Sequence, residues 1–308
     1  MQFDPHHLNA LSCVLRLGSF EAAAAELGVT PSAISQRIKA LEDRVGSALI
    51  HRGQPCTGTA TGQRLARHAE DVGLLESRVS RDLSLDRGDG PARIRIAINA
   101  DSLATWFVPA MAAVDDLLFD LVLDDQDHSA DWLRRGEVAA AVCASDRPVP
   151  GCDEFPLGAL RYVATASPGF IARWFADGVT PAALTRAPCL TYNASDGLQR
   201  AWIAAHLGRR IAPPAHYLPS TEALVEAARD GLGWGMNPIA LVRGHLRHGR
   251  LAPLAAQASL DVPLVWQVSR VMAPALEPLT RAVRAAAGRQ LVTPESPATE
   301  KPAGKDAR

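Results

Sequence analysis

Short polar side chains recur at helical spacing between residues 30 and 39. Hydroxyl and amide groups near the N-terminus of a helix reach the edges of DNA bases, and a cation further along binds phosphate. The chemistry of this face is therefore that of DNA recognition. The candidate DNA-binding residues, with one before this segment and one after it, are Ser19, Thr30, Pro31, Ser32, Ser35, Gln36, Arg37, Lys39 and Arg52.

Two short helices joined by a tight turn position this face. Ser19 is a good N-cap, four alanines follow with high helix propensity, and Gly28 accepts the left-handed conformation that ends a helix. Thr30 and Pro31 then begin the second helix. Its buried side is formed by Ile34, Ile38, Leu41 and Val45. A plain amphipathic helix pair is the alternative interpretation, but a polar face rich in Ser and Gln favours DNA.

The segments around this pair complete a small domain. An amphipathic helix over residues 8–17 precedes it, and the segment 49–59 suggests the wing of a winged helix-turn-helix, where Arg52 would meet phosphates or the minor groove. The segment that follows, to about residue 83, has the pattern of one long amphipathic helix. Because such a helix on its own needs a partner, we expect a dimerising linker helix.

The pattern changes after a loop rich in Gly and Asp at residues 86–91. Strands then alternate with helices, which predicts a mostly parallel α/β sheet. About 200 residues of such units are expected to divide into two lobes. The predicted strands are 93–98, 121–125, 139–144, 161–166, 190–193 and 262–268, and the predicted helices are 103–116, 129–135, 168–177, 197–207, 221–230 and 274–287.

The composition excludes several classes of protein. The 308 residues carry a net charge of −1, with 47% hydrophobic and 21% charged residues, which fits folded globular domains and not a polycation. DNA contact must therefore be local, and the cations between residues 37 and 67 supply such a patch, whereas the segment 115–127 is acidic. The five cysteines lack CxxC spacing, which disfavours zinc and a disulfide framework. Cys143 and Cys152 stay open as a redox pair, with free thiols as the alternative.

Membrane and enzyme functions are not indicated. No apolar run approaches the roughly 20 residues that span a bilayer, and the N-terminus lacks the regions of a signal peptide. We therefore expect a cytoplasmic protein without a membrane partner. The patterns of a nucleophile elbow, a P-loop, HExxH or paired catalytic carboxylates do not occur, so an enzyme is not expected.

The first ninety residues resemble the LysR-type transcriptional regulators. The resemblance is carried by Leu17-Gly18-Ser19-Phe20, the Ala-rich helix 21–26, the segment 30–38, Leu41-Glu42 and Gly46. It implies an all-α winged helix-turn-helix domain plus a long linker helix, followed by an α/β two-lobed effector domain like the type II periplasmic binding proteins. It also implies a homodimer or homotetramer on a double-stranded DNA operator, with RNA polymerase as a further partner.

These implications divide the chain as follows. We expect the winged domain at residues 1–59, the linker helix at 60–88, the effector domain at 91–290 and a disordered tail at 291–308. Within the effector domain, lobe I is expected at 91–163 and 262–290, and lobe II at 164–261.

Four further segments are similar to the LysG/ArgP-like branch, whose members sense basic amino acids. They are residues 52–56, 99–107, 125–128 and 231–236. The wing departs from the pattern of many members of the wider family, which have a second arginine and Leu-Thr-x-Ala-Gly where this chain has Pro55-Cys56 and the segment 58–62. That difference concerns the wing contacts and leaves the helix contacts intact.

The polar groups of the expected cleft fit a cationic amino acid. Asp101-Ser102 and Ser220-Thr221 each begin a predicted helix, where hydroxyl and N–H groups can hold a carboxylate, although both pairs are also ordinary helix caps. Asp125 and Asp127 follow a strand and suit an ammonium or guanidinium group. The candidate effector-binding residues are Asn99, Asp101, Ser102, Trp106, Asp125, Asp127, His128, Tyr192, Asn193, Ser220, Thr221, Trp234 and Met236.

The resemblance therefore predicts a regulator that responds to lysine or arginine, uses no cofactor and activates a basic-amino-acid exporter gene. An effector-independent architectural or replication-origin DNA-binding protein is the alternative. The alternative protein would tolerate loss of Ser35 and Gln36 but not loss of its cations.

Overall fold

The N-terminal region folds as three helices and a hairpin. The computed structural model describes residues 2–83, 91–123, 129–144 and 148–293. The elements of this region are α1 (Pro5–Leu17), α2 (Phe20–Glu26), α3 (Pro31–Val45), β1 (Ile50–His51) and β2 (Thr57–Gly58). The two strands pair antiparallel, at the place where the wing is predicted. The helices enclose one hydrophobic core that includes Leu11, Ile34, Ile38 and Leu41.

Helix α4 (Ala60–Asp82) begins directly after the hairpin and packs closely against it. The Thr59 hydroxyl begins the helix by accepting a hydrogen bond from the Gly62 N–H at 3.1 Å. A Cβ on Gly62 would stand 1.9 Å from the carbonyl oxygen of Leu49. Glycine is therefore required where the helix passes the hairpin.

The other residues that the structure describes form one mixed sheet with helices around it. The strands are β3 (Ala92–Ile98), β4 (Leu117–Leu123), β5 (Ala140–Cys143), β6 (Cys152–Ala166), β7 (Cys189–Thr191), β8 (Ala215–Tyr217), β9 (Trp234–Pro238), β10 (Ala252–Pro253) and β11 (Ser259–Ser269). The first helical segment comprises α5 (Ala100–Ser102), a π-helical turn (Leu103–Phe107) and α6 (Val108–Met111). The others are α7 (Ser129–Arg134), α8 (Pro168–Trp174), α9 (Pro181–Leu184), α10 (Leu198–Leu207), α11 (Thr221–Arg229), α12 (Ile239–Arg247) and α13 (Glu277–Gln290).

Two long antiparallel strands, β6 and β11, join the two halves of this sheet. The strand order is β4-β3-β5-β11-β6-β9-β7-β8, with β10 beside β6. The pairing of β11 with β6 shifts register at Leu264/Val265, opposite Gly158, whose φ is 113°. The expected two-lobed α/β fold is confirmed. The prediction of a mostly parallel sheet is wrong, because the crossing strands pair antiparallel with each other and with β5 and β9.

Several predicted elements differ in length. Strand β6 begins at Cys152 and not at 161, and the helix predicted from 103 begins at Ala100, because Asn99 Oδ1 accepts a hydrogen bond from the Ser102 N–H at 2.7 Å. The predicted set lacks β8, β9, β10, α9 and α12, and glycines at 231, 233 and 235 interrupt the apolar pattern around β9. The first residues of the predicted tail are ordered, because Val292 pairs with Ala159, and residues 294–308 lie outside the described residues.

Tryptophan rings fill the core of the sheet region. Trp106, Trp202, Trp234 and Trp266 are each at most 1% exposed, and they belong to a single hydrophobic core that extends across the crossing strands. Among the helices that the structure describes, none combines the length and apolar character needed to cross a membrane.

Candidate DNA interface and ligand cleft

Helix α3 buries one face and presents the other to solvent. Ile34, Ile38 and Leu41 have no exposed surface, as their spacing predicts. The Thr30 hydroxyl begins the helix by accepting a hydrogen bond from the Ala33 N–H at 3.2 Å. The candidate DNA-binding residues on the outer face are Pro31, Ser32, Gln36 and Lys39, which are exposed, and Ser35 and Arg37, which are half-buried.

Two further candidates flank this helix. The half-buried Ser19 hydroxyl caps α2 by accepting from the Ala22 N–H at 3.2 Å, and it donates to Glu21 at 2.9 Å. Arg52 is exposed in the hairpin, with its guanidinium carbon 5.6 Å from the ring centroid of Phe20. The hairpin is therefore held against the helix pair, with a cation at its surface.

Asp101 connects the two halves of the sheet region. Its carboxylate accepts a hydrogen bond from the Tyr162 hydroxyl on β6 at 2.7 Å. It accepts a second one, also at 2.7 Å, from the hydroxyl of Thr221, the first residue of α11. The three side chains close the space between α5, β6 and α11, and we name them the clasp.

The charges that act on the clasp are negative. Burial raises the pKa of Asp101, and the nearby carboxylates of Asp196 and Glu222 raise it further, whereas the bonds from the other two clasp residues lower it. Burial and the same acidic surroundings, Asp101 and Glu222, also raise the pKa of Tyr192. The cleft is thus a place of unbalanced negative charge, which suits a cationic ligand.

The turn after β7 fixes the positions of Tyr192 and Asp196. Asn193 Oδ1 accepts hydrogen bonds from the Ser195 and Asp196 N–H groups, both at 2.9 Å. Asp196 Oδ2 in turn accepts from the Thr191 hydroxyl at 2.9 Å and from the Tyr192 N–H at 3.1 Å. Asn193 therefore shapes the turn, and Asp196 brings its charge to the cleft.

Two buried donors next to Asp101 are unused. Asn99 Nδ2 and Ser102 Oγ find no hydrogen-bond partner among the described residues. Both residues are at most 5% exposed. Buried polar groups are normally bonded, so these two donors beside a carboxylate are available to an acceptor group.

Three aromatic or apolar candidates are core residues. Trp106 packs edge-on against Phe107 with centroids 5.5 Å apart, and Trp234 packs against Trp202 at 5.4 Å. Met236 is 4% exposed on β9. Neither ring has an exposed face in this structure, so a role of either tryptophan in covering a ligand stays a prediction, and the core interpretation of Trp106 fits what is observed.

The remaining candidates have different outcomes. Ser220 caps α11 by accepting from the Ala223 N–H at 3.3 Å, as its alternative interpretation states. Asp125, Asp127 and His128 lie outside the described residues. The sequence pattern misses Tyr162, Asp196 and Glu222. Tyr162 gives one usable signal, a phenolic hydroxyl beside the apolar residues Leu160, Val163 and Ala164 of β6.

The described residues form neither a metal centre nor a disulfide. Within the described ranges no three metal-ligating side chains come together. The five cysteines are free, and burial raises the pKa of Cys143 to about 12 and also raises that of Cys152. Thiols that resist ionisation favour the free-thiol interpretation over a redox pair.

Both the helix-turn-helix region and the sheet region match models of known protein families. Residues 5–63 match the model for the bacterial regulatory helix-turn-helix protein, lysR family, and residues 87–288 match the LysR substrate binding domain. The regulator LysG of Mycobacterium tuberculosis is 45% identical over 286 residues, which cover 93% of this chain and 94% of that protein.

Two solved structures are similar over nearly the whole chain. ArgP from Mycobacterium tuberculosis superposes with a TM-score of 0.75 at 44% identity, covering 95% of this chain and 100% of that one. LysG from Corynebacterium glutamicum with bound effector Arg has a TM-score of 0.62 at 35% identity, covering 94% and 99%. These relatives are named as regulators, which agrees with the expectation that the chain is not an enzyme. With both regions matched in order, the chain belongs to the LysR family of DNA-binding transcriptional regulators.

Proposed function

We propose that this regulator senses lysine or arginine in its cleft and controls a basic-amino-acid exporter gene from an operator that it binds as a homo-oligomer. The observation that carries the proposal is the half-buried Asp101 carboxylate of the clasp, whose pKa is raised by desolvation and by the charges of Asp196 and Glu222. A buried charge without a counter-ion is costly, so the site favours a ligand that brings a positive charge. The arginine-bound LysG from Corynebacterium glutamicum supports the same ligand class.

The two ends of a basic amino acid meet complementary groups. Asp101, with Asp196 and Glu222 beside it, faces an ammonium or guanidinium group. Asn99 Nδ2 and Ser102 Oγ, unbonded among the described residues, are donors for the α-carboxylate. The charge pattern selects the class of ligand, and both lysine and arginine satisfy it.

DNA reading is assigned to the outer face of α3. Ser32, Ser35 and Gln36 stand within the first turns, where side chains contact base edges, and Lys39 follows where phosphate contacts are expected. Arg37 and the hairpin's Arg52 add positive charge for the backbone. We assign Ser19 and Thr30 a positioning role, because their hydroxyls begin α2 and α3.

The oligomer is assigned to the free side of α4. Val79 is 55% exposed and Leu83 is 62% exposed, although both are apolar. A second copy of the helix would bury this stripe and place two reading helices on one operator. A cytoplasmic homodimer or homotetramer that recruits RNA polymerase completes the proposal, on the resemblance to the LysG/ArgP-like branch.

A thermal-shift screen with the twenty amino acids tests the proposal. A ligand at a hundred times its Kd stabilises the native protein by about 2.7 kcal/mol, which gives a clear rise in Tm. We expect a rise with lysine or arginine and little with citrulline, which has the shape of arginine without its charge. Equal shifts with citrulline would contradict the charge argument, and no shift with any amino acid would support the effector-independent DNA-binding alternative.

A further inference from the structure

Helix α4 belongs to two hydrophobic cores at once. Toward its N-terminal end, Ala66 is buried in the core of the helix-turn-helix region, where Leu65 also packs. About two turns later, Leu74 is 2% exposed and lies in the core of the sheet region together with Ile94 of β3. The helix therefore packs against both regions of its own chain, while the dimer expected of this linker helix stays a prediction.

Glu70 lies at the boundary between these cores. Its Oε1 accepts a hydrogen bond from the Ser12 hydroxyl of α1 at 3.3 Å. From the other region, Arg95 of β3 and Asp120 of β4 act on its charge in opposite directions, and these two bind each other at 3.2 Å. Burial raises the pKa of Glu70. One carboxyl thus contacts the DNA-reading region and lies within electrostatic reach of the sheet region.

The contact is close along its length. Arg67, Glu70 and Leu74 line one groove together with residues 93–95 and 136–139. Near the end of the helix, Arg81 binds Asp116 at 2.5 Å. A packed interface of this kind transmits displacement, because interiors have little free volume to absorb it.

Strand β3 leads from this contact to the cleft. It pairs with β4 on one side and β5 on the other, so it moves as part of a sheet. Ile94 contacts the core beside Leu74, and the strand ends at Ile98, directly before Asn99 and Asp101. At about 3.3 Å per residue, the two ends are about 20 Å apart.

We name Glu70 with its bond to Ser12, and Leu74 with its packing against β3, the junction. We propose that the junction transmits ligand occupancy from the cleft to helix α3 within one subunit. The inference rests on the proposed function, because it takes the clasp as the place where a ligand acts. A cationic ligand that binds Asp101 shifts α5 and β3, and β3 displaces α4. Helix α4 shares a core with α1 and α3, so the reading helix changes its orientation.

The test measures coupling between ligand and DNA. The probe is a duplex selected by the wild-type protein from a random-sequence pool, and its Kd is measured by fluorescence anisotropy with and without saturating L-arginine. Allosteric coupling of this kind changes a Kd by about 5- to 150-fold. In Leu74→Ala and in Glu70→Gln, we expect this ratio to fall toward one, while the Kd for arginine alone stays within about threefold of wild type.

Controls separate coupling from folding. Glu70→Gln keeps the volume and the acceptor oxygen of the side chain, so it remains informative if Leu74→Ala unfolds. Glu76→Gln makes the same change at an exposed position of the same helix and should keep the wild-type ratio. A wild-type ratio in both junction variants overturns the inference.

A second measurement distinguishes failure of the junction proposal from failure of the proposed function. If the wild-type protein binds neither lysine nor arginine, the proposed function is refuted. The junction is then tested by a double-mutant cycle on DNA affinity between Thr221→Val, which opens the clasp, and Glu70→Gln. Non-additive effects support transmission through the junction, and additive effects overturn it.

Discussion

Replacing Asp101 by asparagine should separate the charge of the clasp from its shape. The asparagine oxygen can accept from one clasp hydroxyl, and its amide nitrogen can donate to the other, so both contacts, now 2.7 Å long, can persist. A ligand cation loses its counter-ion. A charge-assisted hydrogen bond contributes about 1.5–3 kcal/mol, so a loss of about 2–3 kcal/mol is expected, or roughly 30- to 150-fold in Kd for arginine or lysine.

The same variant should be more stable than wild type without ligand. Burial raises the pKa of Asp101 above its ordinary value of 3.8, so the folded state holds a proton more tightly than the unfolded chain. The cost of burying the charge is absent below the unfolded pKa, grows as the pH rises past it and is complete above the folded pKa. The Tm advantage of Asp101→Asn should therefore increase as the pH is raised from about 4 toward neutrality.

Calorimetric titration and thermal unfolding check both signs. Asp230→Asn, a change at an exposed carboxylate that ends α11, is the matched control and should leave ligand affinity and its pH dependence unchanged. Citrulline should bind the variant and the wild type alike. An unchanged Kd for arginine would refute the counter-ion role, and an equal loss for citrulline would show that the substitution distorts the cleft.

Three further predictions concern DNA reading, assembly and the helix that joins them. Gln36→Ala should relax sequence preference at one operator position at a cost of about 1–3 kcal/mol in binding free energy. Lys39→Ala should weaken binding to all sequences and lower the slope of log binding constant against log salt by about one. Identical binding profiles for the two variants would contradict the assigned roles. Val79→Asp should dissociate the oligomer in sedimentation experiments, and an unchanged mass would exclude this stripe from the interface. Gly62→Ala should destabilise the protein by about 1–3 kcal/mol in urea unfolding, because its Cβ would meet a backbone carbonyl. Gly73→Ala, whose Cβ would have no atom within 4 Å, should stabilise the protein by about 0.5–1 kcal/mol. The reverse order of stabilities would contradict the packing of α4.

The features that the sequence predicts correctly depend on interactions between residues close together in the chain. The caps at Ser19 and Thr30 and the apolar spacing of α3 act within a few residues, and the structure has them as expected. The crossing strands are different, because the pairing of β6 with β11 joins residues about a hundred positions apart and no local pattern specifies it. The clasp is the extreme case, since Thr221 bonds a carboxylate 120 residues away. Trp106 is ambiguous from the sequence for a related reason, as a ring that suits a cleft wall suits a core equally well.

The position of the clasp gives the proposed switch its direction. Asp101 follows β3 in one half of the sheet region, Thr221 begins α11 in the other, and Tyr162 lies on a strand that crosses between them. A ligand shifts such an arrangement only by binding one state better than the other. A neutral amino acid can satisfy the free donors of Asn99 and Ser102 in either state, so it gains little from closure. A cation gains most where Asp101 is most deeply buried, because attraction strengthens as water is excluded. Charge therefore decides which ligands move the two halves, and size alone does not.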